Sequence, residues 1–492
     1  MRRADAPAAA AAVPRRRRDR RRDHRRRPSL AEVHRAQPRH HGRAPARHAG
    51  PDRGGRRAAR PGGAGLMRTY DFAAVGVGPF NLGLAALTEN VPDLDGVFLD
   101  ARPGFDWHPG LMIEGVTIQV PFLADLVTMA DPTSRFSFLN YLKQVGRLYP
   151  FYIRENFFPL RAEYNAYCRW VAAQLPAIRW NARVDTVTHD GEAYLVHTAA
   201  ETFRARRLVL GVGTAPHVPA VAGRVPHVHS ADYLAHRDRL RTLGSITVVG
   251  SGQSAAEIYH DLLAGIDTYG YHLSWVTRSP RFFPMEYTKL TLEMTSPEYI
   301  RYHHGLPMAT RDRLAREQRH LHKGISADLV DAIHERLYAG SLTGPVPTSL
   351  LTGVELTDVT WDAAAGRYTL GLHHREQDRS FATNTEGLVL ATGYTPRVPS
   401  FLEPVRDRIN WDARGRFDVA VDYSVDRTGK EIFVQNAEEH THSLTAPDLG
   451  MGPYRNSVIL RGLTGREVYP IEERIAFQEF GVPTRQLVTT CG

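Results

Sequence analysis

Two cysteines in 492 residues, Cys168 and Cys491, exclude a disulfide framework, and no CxxC pair is present to hold zinc or run dithiol chemistry. Long apolar runs are also missing: nothing approaches the roughly eighteen consecutive apolar residues of a membrane span. Positions 1–66 contain no aromatic residue and no lysine. They hold 20 Arg against 5 acids, or +15, while the whole chain is +9, which leaves the remainder at −6. Such a stretch cannot bury enough apolar surface to offset its ordering entropy, so 1–66 is expected to be a disordered leader. Its functional reading is a nucleic-acid-binding arm built on Arg15–Arg18 and Arg25–Arg27. The plainer reading is a start codon set too early, with translation beginning at Met67. The rest is ordinary for a globular protein, at 42% hydrophobic and 23% charged over the chain. Few cysteines and the absence of a span point to the cytoplasm, and no metal is expected.

From Met67 onward, short apolar strands alternate with amphipathic helices, the pattern of an α/β protein with parallel sheets. Strands are expected at 70–77, 97–100, 184–197 and 202–211, with helices at 81–90 and 161–174. The strand–turn–helix pattern restarts at 246–249, followed by a helix over 254–264 and a strand over 273–277. Helices are expected again at 311–320 and 327–338, and strands at 387–391 and 432–435. The economical architecture is two Rossmann-like dinucleotide-binding domains, the second inserted in the first. Residues 67–242 and 384–475 would form the first and 243–383 the second, with a small substrate region; 476–492 would be a tail.

The first glycine turn is Gly76-Val77-Gly78-Pro79-Phe80-Asn81-Leu82-Gly83. Gly76 permits the tight turn, Gly78 lets backbone approach a pyrophosphate, and the helix beyond offers free N–H groups and a positive dipole end. Asn81 stands where the usual third glycine would be. Asp100 ends the following strand, where an acid would bind ribose hydroxyls. The second turn is Gly250-Ser251-Gly252-Gln253-Ser254-Ala255. Its next strand ends in Thr277-Arg278-Ser279, a cation and a hydroxyl instead of an acid. A 2′-phosphate needs such a pair, so this turn is assigned to NADPH. The first, completed by late strands, suits FAD, with Thr392-Gly393-Tyr394 returning the chain to the flavin side.

Two nucleotide turns alone allow reductase, oxidase or monooxygenase. A disulfide reductase is excluded by the missing cysteine pair. The FxGxxxHxxxW pattern of Baeyer–Villiger enzymes is not met, the nearest text being Pro226-His227-Val228-His229-Ser230-Ala231-Asp232-Tyr233. Between and beyond the turns stand Phe105-Asp106-Trp107-His108-Pro109-Gly110, Ile118-Gln119-Val120-Pro121-Phe122-Leu123 and Asp131-Pro132-Thr133-Ser134. Phe138-Leu139-Asn140-Tyr141-Leu142, Ala391-Thr392-Gly393-Tyr394 and Thr441-His442-Ser443-Leu444 follow. In this order and spacing, the chain resembles the lysine and ornithine N-monooxygenases of siderophore biosynthesis, from about residue 68 to about 474. The resemblance implies that NADPH reduces FAD, that O2 adds to give a C4a-hydroperoxide, and that its distal oxygen passes to a primary amine. It also implies that Trp107, His108 and Gln119 lie along the flavin and oxygen site, and that the protein is a homo-oligomer. An NADPH oxidase or flavin reductase is the alternative within flavin chemistry.

Two departures bear on the substrate. Amino-acid-hydroxylating members carry Lys in a Phe-Leu-Lys-Asp-Leu stretch, where it grips the substrate carboxylate. Here the stretch reads Phe122-Leu123-Ala124-Asp125-Leu126, and the cation is gone. Leu292 stands where those members place Asn or Asp. Without a carboxylate clamp the expected substrate is a diamine, cadaverine or putrescine, with L-lysine the runner-up. Asp125, Glu286 or Glu293 would hold the distal ammonium. In the runner-up, Arg135 or Lys289 would replace the missing cation.

Overall fold

The computed structural model describes residues 67–482; the expected leader and the end of the expected tail lie outside them. Phe72–Val75 is buried at every position, as a strand covered on both faces must be. It pairs in parallel with Gly96–Leu99 on one side and Leu208–Leu210 on the other. Ile178–Arg179 and Ile432–Val434 complete a five-stranded parallel sheet. The helices Pro79–Thr88, Arg161–Ala172 and Gly452–Thr464 share a core with it that includes Phe72, Leu82, Leu84, Tyr164, Tyr167 and Ile459. Leu82, expected at the cofactor, is instead fully buried in this core.

A second parallel sheet is centred on Ser245–Val249, flanked by His272–Val276 and Gly387–Leu390, with Thr348–Leu351 and Val228–His229 outside them. Strand pairing therefore assigns 228–229 and 387–390 to the second sheet, outside the expected insertion of 243–383. Short apolar runs signal a buried strand but carry no information on which sheet receives it. The chain crosses between the two sheets through Thr214–Pro216 and Tyr394–Pro396, which pair antiparallel.

The strand expected at 202–211 divides in two. Thr202–Ala205 joins a small sheet with Tyr194–Thr198, while Leu208–Leu210 enters the first parallel sheet. The run at 184–197 is likewise a hairpin, turned at Gly191 with φ +103°. The described part of the tail docks: Gln478 bonds Glu293, and Phe480 meets Tyr299 at 5.0 Å between ring centroids.

Candidate functional site

The first turn is shaped for an anion at its open face. Gly76 has φ +86°, and a Cβ there would lie 2.4 Å from the Gly211 carbonyl oxygen. A Cβ on Gly78 would meet nothing within 4 Å, and no side chain caps the helix that follows, which starts at Pro79. The N–H groups of its first turn thus remain available to a phosphate. Asn81 is 1% exposed and works from behind. Its Nδ2 donates to the Gly76 carbonyl at 2.7 Å, and its Oδ1 accepts from Gln435 at 2.6 Å. A Cβ on Gly211 would come 2.4 Å from Asn81 Nδ2, so the glycine that the turn lacks in sequence is supplied across the sheet. Gly76→Ala is expected to leave the purified protein colourless, because both the φ and the contact forbid a methyl group; flavin absorbance per polypeptide checks it.

Asp100 Oδ2 accepts from the Val77 N–H at 2.7 Å, and Arg102 donates to both carboxylate oxygens at 2.9 Å. Burial opposes ionisation of Asp100, but the Arg102 and Val77 hydrogen bonds outweigh it and hold the carboxyl below its ordinary range. Arg102 was not evident from sequence; it lies two residues beyond the expected acid, and its Nη2 also donates to the Val77 carbonyl at 2.8 Å.

The turn opens into a cavity of about 1190 Å³ lined by Gly76, Gly78, Pro79, Asn81, Asp100, Trp107, His108, Gln119 and Tyr394. All nine are among the residues expected from the sequence, and the fold brings them to one space large enough for a dinucleotide and a small substrate. Trp107 packs at a tilt against Tyr164, 5.3 Å between centroids, so it packs as well as lines. Gln119 Nε2 donates to the Thr117 carbonyl at 3.0 Å. His108 has a left-handed backbone, φ 49° and ψ 52°. Its side chain is exposed to the open cavity. Desolvation by the surrounding protein, with Arg161 and Arg102 nearby, pushes its pKa down to about 4, so it is neutral at working pH.

The second turn starts its helix in the same way but is less open: a Cβ on Gly252 would lie 3.1 Å from the Lys323 carbonyl oxygen. A Cβ on Gly250 would lie 2.3 Å from the Ala391 carbonyl oxygen, and Gly252 starts the helix Gln253–Tyr269 without a side-chain cap. Ser254 lies in that first turn, and the exposed Arg278 follows the next strand with Ser279, whose N–H bonds Thr277. Gln253 is different from expectation. Its amide donates to Glu257 at 3.0 Å and accepts from the Ser326 N–H at 2.8 Å, so the side chain is engaged inside the protein. Thr392 and Gly393 hold the crossing segment: Thr392 Oγ1 donates to the His217 carbonyl, and Gly393, φ +87°, accepts from the His217 N–H at 2.9 Å.

The acids expected at the substrate ammonium do not reach this cavity. Asp125 is 3% exposed and accepts from the N–H groups of Val127, Thr128 and Phe138 and from the Thr128 hydroxyl, so it is a loop anchor. Glu293 is held by Gln478, Glu286 accepts from the Thr288 N–H, and Leu292 is 44% exposed. Arg135 pairs with Glu89 at 3.5 Å, and neither it nor Lys289 lines the cavity. Three carboxylates line it: Asp100, paired with Arg102, Asp106, paired with Arg169, and Asp448, missed in the sequence although only a few residues past Thr441–Leu444. Asp448 Oδ1 accepts from the N–H groups of Gly450 and Met451 at 2.6 and 3.2 Å. A Cβ on Gly450 would lie 3.0 Å from Asp448 Oδ1 and 3.7 Å from Ala124 Cβ, so the position of the missing lysine and Asp448 both border Gly450. Burial pushes Asp448 up, with only partial relief from those N–H groups, Arg455 and His322.

Residues 68–396 match the family described as L-lysine 6-monooxygenase/L-ornithine 5-monooxygenase. The chain belongs to that family. A putrescine N-hydroxylase of Shewanella oneidensis is 49% identical over 421 residues, covering 84% of each chain. The crystal structure of an FAD-bound cadaverine monooxygenase of desferrioxamine biosynthesis from Erwinia amylovora is 53% identical. It superposes with a TM-score of 0.83, over 85% of this chain and 99% of that one. An ornithine N-hydroxylase of Kutzneria, solved with reduced FAD, NADP+ and L-ornithine, is 28% identical at a TM-score of 0.75, covering 80% and 99%. This N-monooxygenase is thus a flavoprotein that uses FAD and NADPH to hydroxylate a primary amine, and its two glycine turns suit two dinucleotides. Among the described residues no helix is long and apolar enough to cross a membrane.

Proposed function

We propose that the enzyme N-hydroxylates one amine of a short aliphatic diamine, cadaverine or putrescine, in the cytoplasm, as a step of hydroxamate siderophore assembly. FAD would be held at the first turn by Gly76, Gly78 and Asp100 and NADPH at the second, and with O2 they would supply the activated oxygen. The observation that carries the substrate assignment is that Asp448 and Ala124 both border Gly450. A cavity wall with a half-buried carboxylate and no lysine suits an ammonium and repels the carboxylate of lysine or ornithine. Names of the relatives support this reading: putrescine for one, cadaverine for another.

The chain's own residues divide the work. Asp448 holds the distal ammonium and so fixes how far the other amine extends toward Gln119 and His108. That second amine must arrive neutral, against a solution pKa near ~10.4 for a lysine-like group. The half-buried walls formed by Trp107, Gln119 and Val120 exclude the water that would keep it charged, and they limit wasteful loss of the activated oxygen as hydrogen peroxide. Side-by-side assay of NADPH oxidation and hydroxylamine formation with cadaverine, putrescine, L-lysine and L-ornithine tests the assignment. Diamines are expected to give coupled turnover; a clear preference for lysine would reject it. NADPH consumption without hydroxylamine from any amine would favour the oxidase reading.

Self-association is part of the proposal. On the helix Leu148–Arg154, Tyr149, Tyr152 and Ile153 are 72%, 68% and 73% exposed, a patch that a monomer rarely shows to water. Tyr152→Asp with Ile153→Asp is expected to lower the mass measured by light scattering while leaving flavin content intact.

A further inference from the structure

Arg161 opens the helix Arg161–Ala172, and its guanidinium is 8% exposed. Nη2 donates to Glu257 Oε1 at 2.7 Å and Nη1 to Oε2 at 2.9 Å, a two-pronged pair with a carboxylate only 1% exposed. Nη1 also donates to the Leu111 carbonyl at 2.7 Å. Leu111 ends the segment that begins with His108, the strained cavity-wall residue. Glu257 lies on the helix that starts at the second glycine turn, and its Oε1 also accepts from Gln253, whose amide oxygen in turn accepts from the Ser326 N–H. One guanidinium therefore ties three pieces together: the wall at 108–111, the helix 161–172 of the first nucleotide unit, and the first turn of the helix in the second.

Stability alone does not account for this arrangement. Two charges taken out of water recover little net energy, and apolar residues of similar volume generally do as well. What an apolar pair cannot do is fix direction. Two parallel N–H···O bonds set both the separation and the angle of the groups they join. Flavin and nicotinamide must meet at contact distance for hydride transfer, and they are carried by different sheets. We propose that Arg161 is a positioning residue which, through Glu257 and Gln253, sets the second nucleotide turn against the flavin-side wall. The proposal rests on the assignment of that turn to NADPH.

The test uses the FAD-loaded enzyme. Glu257→Gln keeps the shape and removes the charge, and Arg161→Met with Glu257→Met removes both charges together. Each is examined for flavin content, NADP+ affinity by fluorescence titration, the long-wavelength absorbance of NADP+ stacked on reduced flavin, and the anaerobic rate of flavin reduction. The expected result is full flavin content, NADP+ affinity within about threefold, loss of the stacking absorbance and flavin reduction slower by ~10²-fold, the size of effect an ångström of misplacement produces. The double variant should regain thermal stability without regaining reduction. If it recovers both, or if stacking absorbance survives in either variant, Arg161 is a structural residue and the proposal is overturned. Arg278→Ala is the control for the underlying assignment: unchanged NADP+ affinity there would remove NADPH from the second turn, whatever Glu257→Gln does.

Discussion

Asp448→Asn is expected to raise the KM for cadaverine or putrescine by roughly 30-fold or more, leaving NADPH-driven flavin reduction nearly unchanged. The magnitude follows from removing one partner of a desolvated charge pair, which costs about 2 kcal/mol at the low end. Asparagine retains the shape and still accepts from the Gly450 and Met451 N–H groups, so the loop that carries it keeps its anchor. Only the charge facing the ammonium is lost. A pH profile adds an independent reading. Because burial holds the Asp448 carboxyl above its ordinary range, diamine kcat/KM should fall on the acid side at a pH above the usual carboxylate value of about 3.9. That limb should disappear in Asp448→Asn. The converse variant, Ala124→Lys, places a cation beside Asp448, neutralises it, and is expected to abolish diamine saturation. If Asp448→Asn handles diamines normally, the distal ammonium is held elsewhere.

Arg455→Met is expected to destabilise the folded enzyme by about 3–5 kcal/mol, the cost of stranding a buried charge. Arg455 is 1% and Glu438 0% exposed, with Nη1 and Oε1 3.1 Å apart. The guanidinium lies over Phe80, 4.5 Å from the ring centroid, and donates to the carbonyls of Thr445 and Ala446, at the start of the loop that presents Asp448. Without Arg455, Glu438 would be a buried carboxylate with no cation paired to it among the described residues, left with backbone donors such as the Ala437 N–H at 2.7 Å. Burial already pushes Glu438 up, so the variant's deficit should shrink as the pH falls and the carboxyl takes a proton. Chemical denaturation of the FAD-loaded protein at two pH values measures both. Glu438→Leu combined with Arg455→Met should lose less than Arg455→Met alone; equal losses would mean that the two side chains act independently.

Residues 67–100 show how far local reading reaches. Tight turn, helix start and buried strand are each specified within a few neighbouring residues, and the structure places them where the pattern does. Asn81 was visible as a departure from the glycine fingerprint, but its role was not. Only the approach of Gly211 and Gln435 shows that it braces the turn from behind. Gln253 is the opposite case: an apt residue at the right place in a nucleotide turn, drawn inward by Glu257 and Ser326. The strands 228–229 and 387–390 were legible as buried strands and illegible as members of a particular sheet, since parallel partners come from distant parts of the chain.

By itself the sequence determined the two glycine turns, the lack of a redox cysteine pair, the match to the amine-hydroxylating family and the absence of a cation at Ala124. Those features depend on backbone conformation and on which side-chain chemistries are present, and both are written locally. The tertiary structure decided which carboxylate faces the amine. Asp125 stands next to Ala124 in the chain, but four local donors claim it. Asp448, far along the sequence, is carried to the cavity by a loop and left with an oxygen that accepts no hydrogen bond among the described residues. Adjacency along the chain ranks neighbours by covalent distance, whereas an ammonium is held by whichever unclaimed charge the packing of distant segments brings to it.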